Sequence, residues 1–307
     1  MPRSDPFHPD LAAARWLPAI SAGPRTLRFF RAPVRGIRST DDVRVDTVPI
    51  EGGDGDRPYR VLRPAAATAT TAAMLWIHGG GLIIGTPEQD DGTNLEFVRR
   101  LGITVFAASY RLAPEHPAPA ALDDLVAGYR AIVARADEFG IDPARIAIGG
   151  ASAGGGLAAA LAQRLLDEGG PQPAFQLLMY PMLDDRTILR DDIDPRYIRV
   201  WSPSSNRFAW TSYLGPDAGG PGIATSLVPA RRDDLSGLPP AWIGVGTLDL
   251  FHDEDIAYAD RLEAAGVPCE LTIVPGAFHG FNALFRNAPV TKAFHAEVAR
   301  VLSAALA

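Results

Sequence analysis

The chain has 307 residues, of which 47% are hydrophobic and 21% charged, a balance typical of a globular protein with a large buried core. Its net charge of −7 argues against a nucleic-acid-binding surface. A single cysteine excludes an internal disulfide. No segment reaches the about 18 uninterrupted apolar residues of a membrane span, and the polar start does not resemble a signal peptide, so we expect a cytoplasmic protein.

The first 42 residues differ in character from the rest of the chain. Six prolines interrupt them, and the stretch RTLRFFRAPVRGIR, residues 25–38, is basic and aromatic. The pattern favours short helices that lie on another surface. A lipid-surface anchor is the alternative, although the prolines disfavour a long amphipathic helix.

From residue 43 onward the hydrophobic pattern predicts a sheet. Residues 43–50 and 59–64 alternate apolar and polar side chains, as half-buried antiparallel strands do. Six short apolar runs follow, which is the pattern of strands buried on both faces: AAMLWIHGGG, ITVFAASY, RIAIGG, FQLLMYP, AWIGVG and CELTIV. Helices are predicted between them, near residues 92–101, 119–136, 154–168, 253–265 and 290–305. This alternation predicts a mostly parallel sheet covered by helices, and the aromatic segment 184–222 interrupts it as an insertion.

The stretch IAIGGASAGGGL, residues 146–157, places glycines on both sides of Ser152. Gly150-x-Ser152-x-Gly154, between a predicted strand and a predicted helix, is the nucleophile-elbow pattern. So sharp a turn strains the serine backbone and brings strand and helix close together, which leaves little room for neighbouring side chains. A dinucleotide site is the competing interpretation, but neither G-x-G-x-x-G nor G-x-x-x-x-G-K occurs. The pattern therefore predicts a nucleophilic serine.

The glycine-rich stretch LWIHGGGLIIG places His78 and three glycines at the end of a buried strand. In esterases and lipases such a loop supplies backbone N–H donors to an oxyanion hole, together with the amide of the residue after the nucleophile. Glycines suit this task because the carbonyl oxygen must approach the amides to about 3 Å. The candidate donors are Gly80, Gly81 and Ala153.

A nucleophilic serine also needs a base. Histidine follows the acid along the chain in this arrangement, which leaves three candidates, His252, His279 and His295. His279 lies in a loop between the last strand and the last helix. His295 falls inside that helix. His252 follows Asp249, the acid candidate discussed next, too closely to fold back onto it. We therefore predict that His279 is the base.

The acid candidate is Asp249, in the loop after the penultimate strand. Asp184 or Asp185, one strand earlier, is the alternative. Asp249 is favoured because His279 then comes from the adjacent loop. Serine, acid and histidine would meet at the carboxyl edge of the sheet, where folds of this class bind ligands.

The combined motifs resemble the hormone-sensitive-lipase family of α/β-hydrolases. They are HGGG at 78–81, YRLAPEHPAPAALDD at 110–124, the elbow at 150–154, GLPPAWIGVGTLDLFHDE at 237–254 and HGF at 279–281. The resemblance implies an α/β-hydrolase fold, with a mostly parallel eight-stranded sheet flanked by helices, and a helical cap. It also implies hydrolysis of carboxylic esters without a cofactor. Ala151 and Leu250 depart from the residues usual in the family, but neither is a triad position.

The expected division has two cap segments and two catalytic segments. Residues 1–42 and 184–222 would form the cap, and residues 43–183 and 223–307 would form the catalytic domain. The cap's apolar walls are expected to bind substrate, with FFRAPV of the first segment contributing. The residues assigned to this role are Leu82, Trp201, Phe208, Trp210 and Tyr213.

The predicted activity is that of a serine carboxylesterase acting on small esters of short to medium acyl chain through an acyl-enzyme. An amidase or acyltransferase with the same triad is the nearest alternative, and a non-catalytic small-molecule receptor is a more distant one. No metal is expected, because the chain has no H-E-x-x-H pair. A homodimer is left open.

Overall fold

Eight strands form a single sheet in the spatial order β1-β2-β4-β3-β5-β6-β7-β8. Strand β2 is antiparallel to both β1 and β4, and all other neighbours are parallel. The strands are β1 Val43–Ile50, β2 Arg57–Pro64, β3 Thr71–Ile77, β4 Thr104–Ala108, β5 Ile141–Ala151, β6 Phe175–Met179, β7 Ala241–Leu248 and β8 Cys269–Phe278. The predicted mostly parallel, eight-stranded sheet is confirmed.

Helices cover the sheet and build the segments outside it. This computed structural model describes residues 6–18, 21–66 and 69–307, so residues 1–5 and 19–20 of the expected first cap segment, and 67–68 of the first catalytic segment, lie outside the described residues. The α-helices are α1 Leu27–Phe30, α2 Asp91–Leu101, α3 Ala120–Ala134, α4 Ala136–Phe139, α5 Ala153–Asp167, α6 Pro203–Leu214, α7 His252–Ala264, α8 Phe281–Leu284 and α9 Pro289–Ala305. Short 3-10 helices span Pro9–Trp16, Pro87–Asp90, Asp185–Leu189, Thr225–Leu227 and Pro229–Arg231.

The core lies on both faces of the sheet. Successive residues of β3 face opposite sides, so Leu75 joins the core on one face while Met74 and Trp76 join the core on the other. Every residue of β4 and β6 is buried. This explains why the central strands appear in the sequence as continuous apolar runs rather than alternating ones.

Four parallel strands end at one edge of the sheet, and each is followed at once by a residue that sequence analysis singled out. His78 follows β3, Ser152 follows β5, Asp249 follows β7 and His279 follows β8. The carboxyl edge of a parallel sheet thus gathers side chains that are far apart along the chain.

The two segments expected to form the cap contact one another. The backbone N–H of Ala22 donates to Ser205 Oγ at 2.9 Å, and Arg199 Nε donates to the carbonyl of Ala14 at 2.9 Å. Polar side chains therefore join the N-terminal arm, residues 9–18 and 21–38, to the segment that carries α6.

The start of the described chain docks on the last strand. The backbone N–H of His8 donates to the Gly276 carbonyl at 2.9 Å, and the Phe7 ring lies edge-on to Phe278 at 6.2 Å. A Cβ on Gly276 would lie 2.3 Å from the His8 nitrogen, so this contact requires glycine. Within the described residues, no helix is long and apolar enough to cross a membrane.

Candidate active site

The turn between β5 and α5 is as tight as its glycines suggest. Ser152 has φ 59° and ψ −124°, a strained conformation for a residue with a side chain. A Cβ on Gly154 would lie 2.0 Å from the Ile77 carbonyl oxygen, and one on Gly150 would lie 2.5 Å from the carbonyl carbon of Gly154. Strand β3, the elbow and the start of α5 can pack together only because these positions lack side chains.

Three predicted side chains meet above this turn. Ser152 Oγ lies 2.9 Å from His279 Nε2, and His279 Nδ1 lies 3.0 and 2.9 Å from the two carboxylate oxygens of Asp249. A carboxylate only accepts hydrogen bonds, so Nδ1 carries the hydrogen and Nε2 is free to accept from the serine hydroxyl. All three residues are buried, with exposed fractions of 7%, 4% and 6% for serine, histidine and aspartate.

The alternative acids lie elsewhere. Asp185 is buried, where it accepts hydrogen bonds from the Gly219 N–H at 2.6 Å and from the Arg231 guanidinium. Asp184 pairs with Arg186 at the start of the 3-10 helix that follows. Both carboxylates therefore hold the chain after β6 in place, and neither is bonded to His279.

The alternative bases are also occupied elsewhere. His252 pairs with the neighbouring Asp253 through a 2.8 Å contact. His295 lies on α9, where its Nδ1 is 3.2 Å from Glu96 and its Nε2 is 3.3 Å from Asn282. Its helical location agrees with the sequence analysis.

The HGGG loop lies directly against the elbow. A Cβ on Gly79 would lie 2.8 Å from the Ala151 carbonyl oxygen, so the two backbones are in contact. Gly80 and Gly81 both have positive φ, 120° and 59°, and within the described residues neither backbone N–H donates a hydrogen bond. Ala153 is the first residue of α5, so its N–H has no acceptor within the helix. These three amides can donate hydrogen bonds to a negatively charged oxygen.

A buried histidine and tyrosine support the HGGG loop from below. The His78 ring stacks on Tyr110 at 4.3 Å, and the Tyr110 hydroxyl donates to the His78 carbonyl at 2.8 Å. Burial lowers the pKa of His78 to about 4, so this ring stays neutral. The pair fixes the loop rather than supplying a proton.

The segment expected to form the cap covers the HGGG loop with one aromatic ring. Trp201 is buried, and a Cβ on Gly81 would lie 2.1 Å from its Cη2 atom. Leu82, the next residue of the loop, is buried with φ 66°. Trp201 and Leu82, both expected to bind substrate, therefore lie beside the predicted oxyanion donors.

The chain before Trp201 is strained. Val200 has φ 67°, which is rare for a β-branched residue, and the Trp201 N–H donates to the Arg199 carbonyl at 2.7 Å across it. A Cβ on Gly280 would lie 3.8 Å from Val200 Cγ1. The tight turn at Val200 thus lies next to the residue that follows His279.

The other residues expected to bind substrate are spread over α6. Trp210 and Tyr213 are buried, with ring centroids 6.3 Å apart, and the Tyr213 carbonyl accepts from the Ala118 N–H at 2.8 Å. Phe208 lines a surface hollow together with residues 21–26. The structure therefore gathers only Trp201 and Leu82 at the predicted oxyanion loop.

The expectation that FFRAPV walls the pocket is wrong for its large apolar side chains. Phe29, Phe30 and Val34 are exposed to solvent. They lie on α1 and in the irregular chain after it, where Leu27 and Ile37 pack against the core instead. A short, proline-broken segment has too few residues to bury a continuous apolar face.

Two aromatic residues at the site were not predicted. The Tyr180 ring lies edge-on to His279 at 4.9 Å and the Phe251 ring at 5.2 Å. Tyr180 Oη also donates to Asn282 Oδ1 at 2.7 Å. The two rings enclose the imidazole and exclude water from it. Tyr180 directly follows β6 at the same sheet edge, a position that could have identified it.

Two carboxyl groups of α7, the half-buried Glu254 and the fully buried Asp255, lie near Asp249. Burial raises the pKa of Glu254 to about 8, although its carboxylate accepts hydrogen bonds from Leu183 N, Asp184 N and Thr187 Oγ1. Burial also raises the pKa of Asp255 well above its ordinary value, and the nearby Glu254 and Asp249 add to the shift.

The two oxygens of Asp255 have no hydrogen-bond partner in the described part of the chain. A buried carboxyl group without a partner is neutral at neutral pH, because ionisation there is unfavourable. Across residues 6–18, 21–66 and 69–307, no three His, Cys, Asp or Glu side chains are grouped to hold a metal ion.

Comparisons with known proteins identify the family that the chain matches. A family described as "alpha/beta hydrolase fold" matches residues 74–283. Carboxylesterase NlhH of Mycobacterium tuberculosis is 37% identical over 244 residues, which cover 75% of this chain and 73% of that protein. Esterase LipI of the same organism is 35% identical over 245 residues, covering 78% and 75%. The solved structure titled "Bacterial Heroin Esterase" superposes with a TM-score of 0.89 at 36% identity and covers 98% of both chains.

Proposed function

The chain belongs to the α/β-hydrolase family, alongside esterases of the hormone-sensitive-lipase type, and on that premise we propose that it is a serine carboxylesterase acting through Ser152. The relatives' names support ester hydrolysis as the reaction class. The observation that carries the proposal for the site is the continuous hydrogen-bonded contact from Ser152 through His279 to Asp249.

In the first half of the reaction, His279 Nε2 takes the hydroxyl proton while Ser152 Oγ attacks the ester carbonyl carbon. Asp249 holds the imidazole through Nδ1 and stabilises the positive charge that the ring acquires. The carbonyl oxygen becomes an oxyanion that the N–H groups of Gly80, Gly81 and Ala153 stabilise. Loss of one such donor typically costs about 10²–10³ in rate.

The first half ends when the imidazolium protonates the departing alkoxide and the alcohol leaves an acyl group on Ser152. In the second half, a water molecule gives a proton to His279 and attacks the acyl carbon. The imidazolium then returns that proton to Ser152 Oγ as the acyl–oxygen bond breaks, which releases the acid and restores the serine. The buried setting of the triad supports both steps, because hydrogen bonds to a developing charge are stronger where water is excluded.

The test uses a fluorophosphonate probe, which labels an activated serine. We expect wild-type protein to be labelled on the peptide that contains Ser152, and Ser152→Ala to be neither labelled nor active. The matched control is Ser303→Ala on the exposed side of α9, which should behave as wild type. Labelling that persists in Ser152→Ala would show that Ser152 is not the nucleophile.

Matched ester and amide substrates separate the proposal from its nearest alternative. An esterase cleaves the ester much faster than the amide, whereas an amidase does not, and an acyltransferase makes a second ester when an alcohol is added. A non-catalytic receptor would bind an ester without releasing product. A rate series from acetyl to decanoyl esters then measures the acyl-chain preference, which we propose is short to medium.

The remaining assignments are also proposals. The division into a cap, residues 1–42 and 184–222, and a catalytic domain, residues 43–183 and 223–307, is supported by the contacts between the two cap segments. Cytoplasmic location is testable by cell fractionation, and the homodimer by light scattering on the purified protein.

A further inference from the structure

Four large apolar side chains of the N-terminal arm are exposed, and we call them the arm patch. They are Trp16, Phe29, Phe30 and Val34, with exposed fractions of 81%, 66%, 39% and 47%. The rest of the described chain, several times longer than the arm, exposes only four other large apolar side chains. Such a concentration of aromatic rings on a short segment marks an interaction surface rather than scattered surface apolarity.

The arm patch adjoins the proposed catalytic site at two places. Arg31, the residue after α1, donates from Nε to the carbonyl of Ile83 at 2.8 Å, and Ile83 lies two residues after Gly81. At the other end, Arg199 donates to Ala14 in the helix that ends at Trp16. Whatever binds the arm patch is therefore held beside the loops that carry the chemistry.

The charge of the arm is opposite to that of the whole chain. Residues 9–38 contain six arginines, one acidic residue, Asp10, and no Lys, whereas the chain carries a net charge of −7. The guanidinium of Arg28 lies 4.9 Å from the Phe29 ring centre, and that of Arg15 lies 6.0 Å from the Trp16 ring centre. Each of these two exposed rings thus has a guanidinium group beside it. Of these arginines, Arg31 is paired with Glu115 of the catalytic domain.

We propose that the arm patch and the arginines around it dock the protein on an anionic phospholipid surface. Trp and Phe rings enter the headgroup region, where amphipathic aromatic side chains are favoured. Arginines bind the lipid phosphates, each contributing about 1 kcal/mol near a negatively charged surface. Docking does not depend on the proposed catalytic residues.

The local structure favours lipid over a protein partner. A stable protein interface needs about 800 Å² of complementary surface on each side. The arm consists of the eight-residue 3-10 helix Pro9–Trp16, the four-residue helix α1 and irregular chain from residue 31, without a strand edge or a long α-helix. A lipid surface has no fixed shape, so it accepts rings that are not arranged on one regular element.

The test is co-sedimentation of full-length Ser152→Ala protein, which cannot hydrolyse lipid, with two kinds of vesicle. One contains phosphatidylcholine alone, and the other contains phosphatidylcholine with about one third phosphatidylglycerol. We expect binding at least tenfold tighter to the anionic vesicles, weakening as salt is raised. Equal binding to both vesicles, or none to either, would overturn the proposal.

Two sets of substitutions locate the surface. Trp16→Ser with Phe29→Ser should reduce vesicle binding at least tenfold. Arg25→Gln with Arg28→Gln should reduce it roughly fivefold for each arginine and should weaken the salt dependence. Both pairs, made with Ser152 restored, should hydrolyse a soluble acetyl ester at the wild-type rate.

The matched control replaces exposed apolar residues outside the arm, Leu189→Ser with Ile273→Ser, and should bind vesicles as strongly as the parent. If instead the parent forms a dimer without vesicles, and the Trp16→Ser and Phe29→Ser variant is a monomer, the patch binds a second copy and the lipid proposal fails.

Discussion

The catalytic loops and the cap are held together in different ways. The catalytic loops, which follow β3, β5, β7 and β8, pack backbone against backbone, so that a single methyl on Gly154 would collide with Ile77. The cap is joined by side chains that reach backbone groups, as Arg199 reaches Ala14. The position of Ser152 thus depends on close packing of backbone atoms. The proposed cap above it is attached through side chains, which can be substituted without disturbing that packing.

Carboxyl groups of the two regions also differ in pKa. In the cap, the Arg196 guanidinium lowers the pKa of the exposed Asp194 to about 2. Behind the catalytic loops, burial raises the pKa of Glu254 and Asp255. Asp194 of the proposed cap is therefore ionised and paired, whereas Glu254 and Asp255 favour the neutral form.

The largest contrast should come from one carboxylate in each region. Asp249→Asn should lower kcat about 10³–10⁴-fold, because an amide can donate to Nδ1 and so favours the tautomer that cannot accept the serine proton. Asp194→Asn in the cap should leave kcat unchanged. The measurement is hydrolysis of an acetyl ester, with the melting temperature of both variants as a check on folding. A loss of less than tenfold in Asp249→Asn would contradict the role given to this residue.

A methyl group tests the backbone packing directly. Gly154→Ala should destabilise the protein by about 3 kcal/mol or more, since the strand, elbow and helix must separate to admit it. Gly222→Ala adds the same methyl to an exposed turn of the cap, where no atom lies within 4 Å, and should change stability by less than about 0.5 kcal/mol. Urea unfolding measures both, and equal effects would erase the distinction between the regions.

Asp255 makes the charge contrast testable as a function of pH. Its pKa is raised in the folded state, so the folded protein holds a proton that the unfolded chain releases above its ordinary pKa, about 4. The stability connected with this group is complete below that pH and falls as pH rises toward the raised value. Asp255→Asn cannot ionise and should melt several degrees above wild type at pH 7.

The advantage of Asp255→Asn should shrink as the pH approaches 4. Asp194→Asn, the control in the cap, should show no gain at pH 7, because its carboxylate is already favourably ionised there. Scanning calorimetry between pH 4 and 8 gives both curves. A constant difference across this range would mean that Asp255 does not titrate with folding.

The smallest effect concerns strain in the cap. Val200→Gly should stabilise the protein by about 0.5–1 kcal/mol, because glycine adopts the positive φ of this turn without a steric penalty. Val200→Ala keeps a Cβ and should gain less. Thermal melts of the two variants decide the point, and destabilisation by glycine would show that the valine side chain matters more than its backbone.

Much of the sheet and of the catalytic loops could be predicted because the signals are local. Central strands appear as apolar runs, and Ser152, Asp249 and His279 each come directly after a strand. The expectation that CELTIV is buried on both faces is wrong, because β8 lies at the edge of the sheet and Ile273 is exposed. Glycines on both sides of Ser152 report a steric requirement within a few residues of it. Those patterns need no knowledge of distant contacts.

Contacts that do not follow from the shared sheet edge could not be predicted. The position of Tyr180 after β6 places it at that edge, but nothing in the sequence shows that its ring will contact His279. Likewise, nothing near Gly81 shows that Trp201 will cover it. Phe29 is the opposite case, since its ring was expected to line a pocket but is exposed. Apolar composition alone suggested a pocket wall, yet whether a ring is buried depends on what the rest of the fold places beside it.

The docking of Phe7 and His8 on β8 has a consequence for how the molecule matures on the ribosome. Phe7 and His8 cannot dock until Gly276 and Phe278 have been synthesised, which happens only after nearly all of the sheet has been made. Until then the arm lacks this docking site, and the proposed cap, to which Arg199 and the arm both belong, is incomplete. Synthesis of the last strand therefore provides both His279 and the docking site of the arm. The nascent chain completes the proposed triad and its cap at the same late stage.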